Sequence, residues 1–225
     1  MVRNKIENFK AFDAYRFRSS TNAEDLEFFS GAGLYDSYSA KKDHDTKTIE
    51  NAIKKVWASL WNFRAFEERD YYRIDHLSTA MGILVHRSFP DEDANGVVIT
   101  KNLYNINPGF IVNVQFKEYS IVFPEPGILH DQIILYTYSL DNSRNFTIEY
   151  LSHSNIPGFN GKNVLSGKEL NELGEYCLQL KKHFFYNVPH TCNCLFDDFG
   201  LDIEFKIDSP NDKRKLYIKQ VRLYQ

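Results

Sequence analysis

The segment Leu201-Asp202-Ile203-Glu204-Phe205-Lys206-Ile207 alternates apolar and charged residues without interruption. Side chains on an extended strand point to opposite faces with period two, so this stretch presents one face to a core and the other outward. A second strand-like stretch, 216–223, follows the turn-rich Asp208-Ser209-Pro210-Asn211-Asp212, whose Pro, Asn and Asp supply turn geometry. The chain therefore closes in a β-hairpin. Asp202, Glu204 and Lys206 share one face of its first strand, and Gln220 and Arg222 share a face of its second.

Upstream, the apolar run 12–17 is the first clear element, and 21–33 reads as a loop with a turn at Gly31-Ala32-Gly33. Ile49, Ile53, Val56, Trp57, Leu60 and Trp61 recur at helical spacing, which predicts a helix from Thr48 with both tryptophans on its core side. Strand-like segments follow at 81–85, 97–100, 110–116, 120–123 and 133–138. Ser166 and Glu169 have the spacing of a capping box opening a second helix, with Leu170, Leu173, Cys177, Leu180 and Phe184 as its buried stripe. Hairpins combined with helices give an α+β class.

With 225 residues, 43% of them hydrophobic and 15% aromatic, the chain can bury a sizeable core. A formal charge of −3 with interspersed signs provides no basic face for nucleic acid. Cys177, Cys192 and Cys194 fit a reduced compartment better than a disulfide framework, and Cys192 and Cys194 read as ordinary loop cysteines. A zinc site built on them and His190 lacks a second cysteine pair. The polar first ten residues hold no apolar signal region and no stretch has the length of a membrane span, so a cytoplasmic location without membrane association is expected. Without such a signal, the sequon at Asn145 carries no weight.

The polar hairpin face has a chemical reading. Two carboxylates, an amide and a guanidinium directed at one place suit a magnesium–triphosphate complex, because hard magnesium takes carboxylate and phosphate oxygens and planar Arg matches phosphate bidentately. Alone, the same pattern is more often that of a solvated hairpin face. Sequence order favours the ligand. Asp202-Ile203-Glu204-Phe205 followed by Leu216-Tyr217-Ile218-Lys219-Gln220-Val221-Arg222 resembles the end of the ATP-grasp domain in pyruvate phosphate dikinases and phosphoenolpyruvate synthases. Phe17-Arg18-Ser19-Ser20-Thr21-Asn22-Ala23-Glu24-Asp25-Leu26, with Phe29-Ser30-Gly31, is similar to that family's Arg-Ser-Ser…Glu-Asp-Leu signature and the Phe-x-Gly turn after it. Val56-Trp57-Ala58-Ser59-Leu60-Trp61-Asn62-Phe63-Arg64-Ala65 with Arg69 resembles a family helix also found in glucan water dikinases. Met81 to His86 matches the strand lining the adenine pocket, with His86 where Gln is common. Asn95-Gly96-Val97-Val98-Ile99-Thr100 and Asn113-Val114-Gln115 with Glu118 match two further segments, Lys117 standing where Gly is usual before the Glu. These blocks keep the family's order from Phe17 to Arg222.

The resemblance implies an α+β, ATP-grasp-like domain over 1–225 with mixed and antiparallel sheets and packed helices. Residues of about 12–80 would form a partial first lobe and about 81–225 the second. It implies ATP and Mg2+ as cofactors, with Glu204 and Gln220 on the metal. Arg18, Arg64, Thr100, Glu118, Asp202, Glu204, Gln220 and Arg222 would bind nucleotide, and Arg222 and Arg18 would stabilise the transferring phosphoryl group. Arg64 and Arg69 read either as phosphate contacts or as surface salt bridges. The implied activity is that of an ATP-dependent kinase or dikinase module passing phosphoryl to a histidine on a separate domain. Family domains also carry an upstream segment with a lysine and glycines that nothing before Arg18 matches, so the module is not expected to be self-sufficient. The alternative is a non-catalytic nucleotide-binding or regulatory remnant of the fold.

Overall fold

The computed structural model describes residues 14–26, 28–31, 33–41, 44–89, 91–121, 124–138, 145–159, 161–190, 192–209 and 212–224. Phe12, Asp13, Glu27, Ala32, Val122, Phe123, Pro210 and Asn211, which figure in the expected elements, lie outside them. The chain divides into two compact units between Phe89 and Pro90.

In the N-terminal unit, β1 (Ala14–Thr21) lies between β4 (Tyr38–Lys41) and β5 (Met81–Arg87), antiparallel to both. The 81–87 segment pairs with β1 from Thr21 to Tyr15 and belongs to this unit. The expected loop after β1 contains a small hairpin, β2 (Asp25–Leu26) with β3 (Phe29–Ser30). Helix α1 (Ile49–Ala58) starts where predicted: Thr48 Oγ1 accepts the Asn51 amide at 3.1 Å, satisfying one orphan donor of the first turn. Ala52 and Val56 pack on Phe17 and Ala40 of the sheet.

The helix does not continue through the tryptophans. It tightens into a 3-10 turn, Ser59–Trp61, breaks at the extended Asn62, and restarts as α2 (Phe63–Tyr71). Trp57 and Trp61 are 53% and 54% exposed, contrary to the core placement that the spacing suggests. Trp57 follows Val56 by one residue and so points about 100° away from the core direction, and the 3-10 turn rotates Trp61 off the stripe.

The C-terminal unit is built on a six-stranded antiparallel sheet ordered β11-β10-β6-β7-β8-β9. Its strands are β6 (Ala94–Ile99), β7 (Gly109–Phe116), β8 (Asp131–Tyr136), β9 (Thr147–Ser152), β10 (Leu201–Asp208) and β11 (Lys215–Leu223). Strand β9 is an edge strand without a clear sequence signal, and Ser120 and Ile121 of the expected strand 120–123 are not extended in a sheet. Helix α3 (Gly167–Asn187) opens with the predicted capping box, Ser166 N–H donating to Glu169 Oε2 at 2.8 Å and Glu169 N–H to Ser166 Oγ at 3.3 Å. Its Leu170, Leu173 and Cys177 lie in one core with Val98, Val112, Ile133, Ile203 and Phe205. The other face of β10 is left for its charged residues. Cys192 and Cys194, read from sequence as loop thiols, are joined in a disulfide with their Cα atoms 5.3 Å apart, a separation that a disulfide spans. Among the described residues, no helix is long and apolar enough to cross a membrane.

One core position of α3 is charged. Lys181 is 3% exposed and donates to the carbonyls of Thr100 at 2.7 Å and Asp197 at 3.2 Å, with the Phe196 ring centre 5.0 Å from Nζ. Burial lowers its ammonium to about 8, against the upward pull of Asp197 and Asp198. The folded value lies below the unfolded one, so through the window from about 8 to 10.5 the unfolded chain holds a proton that the folded chain has released. Stability from this group therefore rises with pH across that window. Burial raises the Cys177 thiol, which acts in the opposite sense once the unfolded thiol ionises. The difference between wild type and Lys181→Met isolates the lysine. In urea titrations at several pH values, the wild type should gain on the order of 2 kcal/mol relative to the variant between pH 8 and 10.5. Parallel profiles would exclude this account.

Candidate functional site

The hairpin register sets Asp202 directly opposite Arg222 and Glu204 directly opposite Gln220. All four therefore project from one face as two cross-strand pairs, while Leu201, Ile203, Phe205 and Ile207 bury the reverse face. A β-bulge follows at once: Phe205 pairs with Ile218, leaving Lys219 as the extra residue. Bulges bend a strand and re-aim its side chains, and here Lys219 Nζ comes 3.6 Å from Glu204 Oε2. Period-two reasoning cannot foresee that cation, because it depends on a break in the period.

Asp202 is electrostatically poised. One of its carboxylate oxygens is buried with no hydrogen-bond partner. Burial pushes its carboxyl above the ordinary value, Arg222 opposes that shift and Glu204 adds to it. A bound cation, or a ligand bringing one, would relieve both the orphaned oxygen and the repulsion between the two carboxylates.

Neighbouring elements extend the charged face. Lys206, next along β10, forms an ion pair with Glu92, which is only 2% exposed. Burial raises the Glu92 carboxyl; Lys206 counters, Glu118 raises it further, and Lys219 lowers it. Glu118 thus belongs to the same electrostatic neighbourhood as the hairpin. It shares a cavity of about 490 Å³ with Asp91, Glu92, Lys117 and Tyr119. The turn carrying it is tied to β6, Asn95 Nδ2 donating to the carbonyls of Lys117 at 2.7 Å and Tyr119 at 3.1 Å. Glu92 lay outside every motif; its burial next to a charged strand is visible only in the fold.

Lys117 has φ +54°, the left-handed conformation that explains why glycine is usual there. An L side chain in that region costs about 1–2 kcal/mol. Its exposed ion pair with Asp93, at 3.3 Å, is worth less than about 1 kcal/mol, and glycine adds unfolded-state entropy. Lys117→Gly should therefore stabilise the chain by about 0.5–1 kcal/mol, measured by urea unfolding; a loss would show that the turn is held by the lysine side chain.

Thr100 was expected to offer its hydroxyl to nucleotide, but the structure closes it off. It has no exposed surface, its Oγ1 accepts the Leu201 amide at 2.8 Å, and its carbonyl receives Lys181. It clips the end of β6 to the start of β10, one residue before Asp202.

In the N-terminal unit, Arg18 lies on β1 opposite Leu84, half-buried, on the same face as Arg16. Gly31 allows the chain to fold back after the Arg18 motif: its amide donates to Glu24 O at 2.6 Å, and a Cβ there would come within 2.9 Å of Glu24 Cα. Arg69 is neither a phosphate contact nor a surface salt bridge. It is fully buried and donates to Leu60 O at 2.7 Å, Tyr35 Oη at 3.2 Å and His76 Nδ1 at 3.3 Å; Tyr35 in turn donates to Ala23 O at 2.8 Å, within the Arg18 motif itself. Arg64 is exposed and donates to Gly33 O at 2.8 Å. His86 Nδ1 is 2.6 Å from the Arg87 carbonyl.

Comparison with known proteins decides the family. Residues 2–225 match the model of the pyruvate phosphate dikinase AMP/ATP-binding domain. The chain belongs to that family. It is similar to a phosphoenolpyruvate synthase of Aeropyrum pernix, 35% identical over 83 residues, which are 37% of this chain and 10% of that protein. A rifampicin phosphotransferase of Streptomyces sp is 37% identical over 87 residues, 39% of this chain and 10% of the relative. That of Bacillus subtilis is 33% identical over 117 residues, 48% of this chain and 13% of the relative. The matched stretches thus cover about a tenth of each relative. As a pyruvate phosphate dikinase-type AMP/ATP-binding domain, the chain is a phosphotransferase-like, nucleotide-binding module in general terms. Among the described residues, the hairpin is where carboxylate, amide and guanidinium groups meet on one sheet face.

Proposed function

We propose that this chain binds Mg-ATP through the outward face of the β10–β11 hairpin. It would serve as the ATP-grasp-type module of a phosphoenolpyruvate synthase or pyruvate phosphate dikinase-like phosphotransferase. The observation that supports this most is the pair of direct cross-strand juxtapositions, Asp202 with Arg222 and Glu204 with Gln220, next to an orphaned carboxylate oxygen.

The residues fit magnesium held jointly with a nucleotide. Among the described residues, no group of three or more His, Cys, Asp and Glu side chains could hold a metal. Magnesium commonly takes one or two carboxylates and completes its shell with phosphate oxygens and water. In this reading Glu204 and Gln220 hold the ion, which neutralises phosphate charge, and Asp202 supports them. Arg222 sets its planar donors against the phosphate that is transferred, so charge developing there meets a cation already in place. Arg18 contributes a second guanidinium on the strength of its motif, Glu118 contributes acidity at the rim, and Arg64 offers phosphate the donors not used on Gly33. Thr100 acts from behind, fixing the strand that carries Asp202. The phosphoryl acceptor is a histidine on another domain, and the module belongs in the cytoplasm, where ATP is supplied.

Thermal unfolding tests the binding step: Mg-ATP should raise the melting temperature, and Arg18→Ala should reduce the rise. No rise at millimolar Mg-ATP would overturn the proposal. Adding a phosphohistidine domain from a relative in trans tests the chemistry. Labelled γ- or β-phosphate should appear on its histidine, whereas binding without ATP consumption would identify a non-catalytic module.

A further inference from the structure

The N-terminal unit has a second concentration of positive charge that the nucleotide reading does not use. A cavity of about 250 Å³ lies where β4 meets α1, and Arg16, Lys47, Lys55, Ser39, Thr46 and Asn51 are among the residues lining it. We propose that this cavity is a phosphate site, taking inorganic phosphate or the phosphate group of a small phosphoester.

Among the described residues, three cations line this space and no Asp or Glu does. Among the described residues, none of the three makes an ion pair. Arg16 Nη1 donates to Ser39 Oγ at 3.2 Å, and Lys55 Nζ stands 5.3 Å from the centre of the Tyr38 ring. Neither contact neutralises charge. Burial lowers the pKa of Arg16, and the neighbouring Arg18 lowers it further, so an anion beside Arg16 would offset a cost already present. The donor types suit phosphate: a planar guanidinium for bidentate contact, two ammonium groups, and the hydroxyls of Ser39 and Thr46.

The wall is also held in shape without a ligand. Lys41 N–H donates to Lys47 O at 2.9 Å, Asn51 Nδ2 to Thr46 O at 3.1 Å, and the Thr46 and Lys47 amides both reach His44 Nδ1, at 3.3 and 3.2 Å. Binding therefore requires little new ordering of the backbone. Arg16, Ser39, Lys47 and Lys55 lie outside the short sequence blocks to which the nucleotide contacts are assigned, so phosphate binding here does not require those contacts.

Titration calorimetry of the full chain with sodium phosphate, against sodium chloride at matched ionic strength, tests it. The expected result is one saturable site for phosphate and none for chloride. Lys55→Gln and Arg16→Gln should each weaken binding ten-fold or more, Lys55→Arg should retain it, and Arg222→Ala should leave it unchanged. Competition by glycerol 3-phosphate at lower concentration than phosphate itself would assign the site to phosphoesters, and weaker competition to free phosphate. Circular dichroism establishes that each variant is folded; were the Gln variants unfolded, loss of phosphate binding in Lys47→Gln would carry the test. Unsaturable heats, wild-type affinity in the Gln variants, or loss of phosphate binding in Arg222→Ala would overturn the proposal. So would displacement of phosphate by saturating Mg-ATP, which would make this cavity part of the nucleotide site.

Discussion

Arg222→Ala should abolish the stabilisation that Mg-ATP gives the folded chain while leaving the unliganded fold in place. A ligand at 100 times its dissociation constant stabilises by about 2.7 kcal/mol, and for a chain of this size each kcal/mol moves the melting temperature by roughly 2–4 °C. Wild type should therefore rise by about 5–10 °C and the variant by less than about 1 °C. The reason lies in the register. Arg222 faces Asp202 across the hairpin and moderates the effect of burial on that carboxyl; without it, two acids face the phosphates with no guanidinium between them. Arg222→Lys keeps the charge but loses the planar pair of donors, and should recover only part of the shift. A full shift in Arg222→Ala would remove this residue from the nucleotide site.

Gly96→Ala should be the most damaging single methyl on the site's own scaffold. Gly96 pairs with Phe205 across β6 and β10, and a Cβ at Gly96 would run into the Phe205 ring and approach Asn113 O to 3.0 Å. The ring is 1% exposed and packs in the main core of the unit, so it cannot yield toward solvent. Overpacking of this kind costs about 1–3 kcal/mol, and the displaced residue follows Glu204 directly and sits at the bulge. Stability in urea should fall by about 2–3 kcal/mol, and the Mg-ATP response should fall with it. Gly96→Ala combined with Phe205→Leu should recover much of the stability. If Gly96→Ala alone were neutral, the ring would be mobile and the strand pair looser than described.

These two variants also show how much could be read from the chain. Alternation along β10 was sufficient to put Asp202, Glu204 and Lys206 on one face, because the opposite face is filled by Ile203 and Phe205 and a register slip would bury charge. Ser166 and Glu169 were legible because a capping box is local chemistry. What escaped depends on distant partners. Lys219 reaches Glu204 only through a bulge, and Glu92 matters only because the fold buries it against Lys206. Arg69 reads in sequence as a phosphate contact or a surface salt bridge, whereas carbonyl and hydroxyl acceptors from Leu60 and Tyr35 enclose it. Trp57 and Trp61 follow the helical period by number, but Trp57 sits one position round from the buried Val56 and the helix stops before Trp61. Edge strands such as β4 and β9 are short and half-exposed, with too few buried positions to show a period.

The central claim is that the hairpin face binds ATP together with magnesium. Titration calorimetry of wild type and Glu204→Gln with ATP, each with and without Mg2+, tests it most directly. Wild type should bind with an affinity that falls ten-fold or more when magnesium is withheld. Glu204→Gln should bind more weakly and respond little to the ion. Equal affinity in all four titrations, or no binding by wild type at millimolar ATP, would contradict the account.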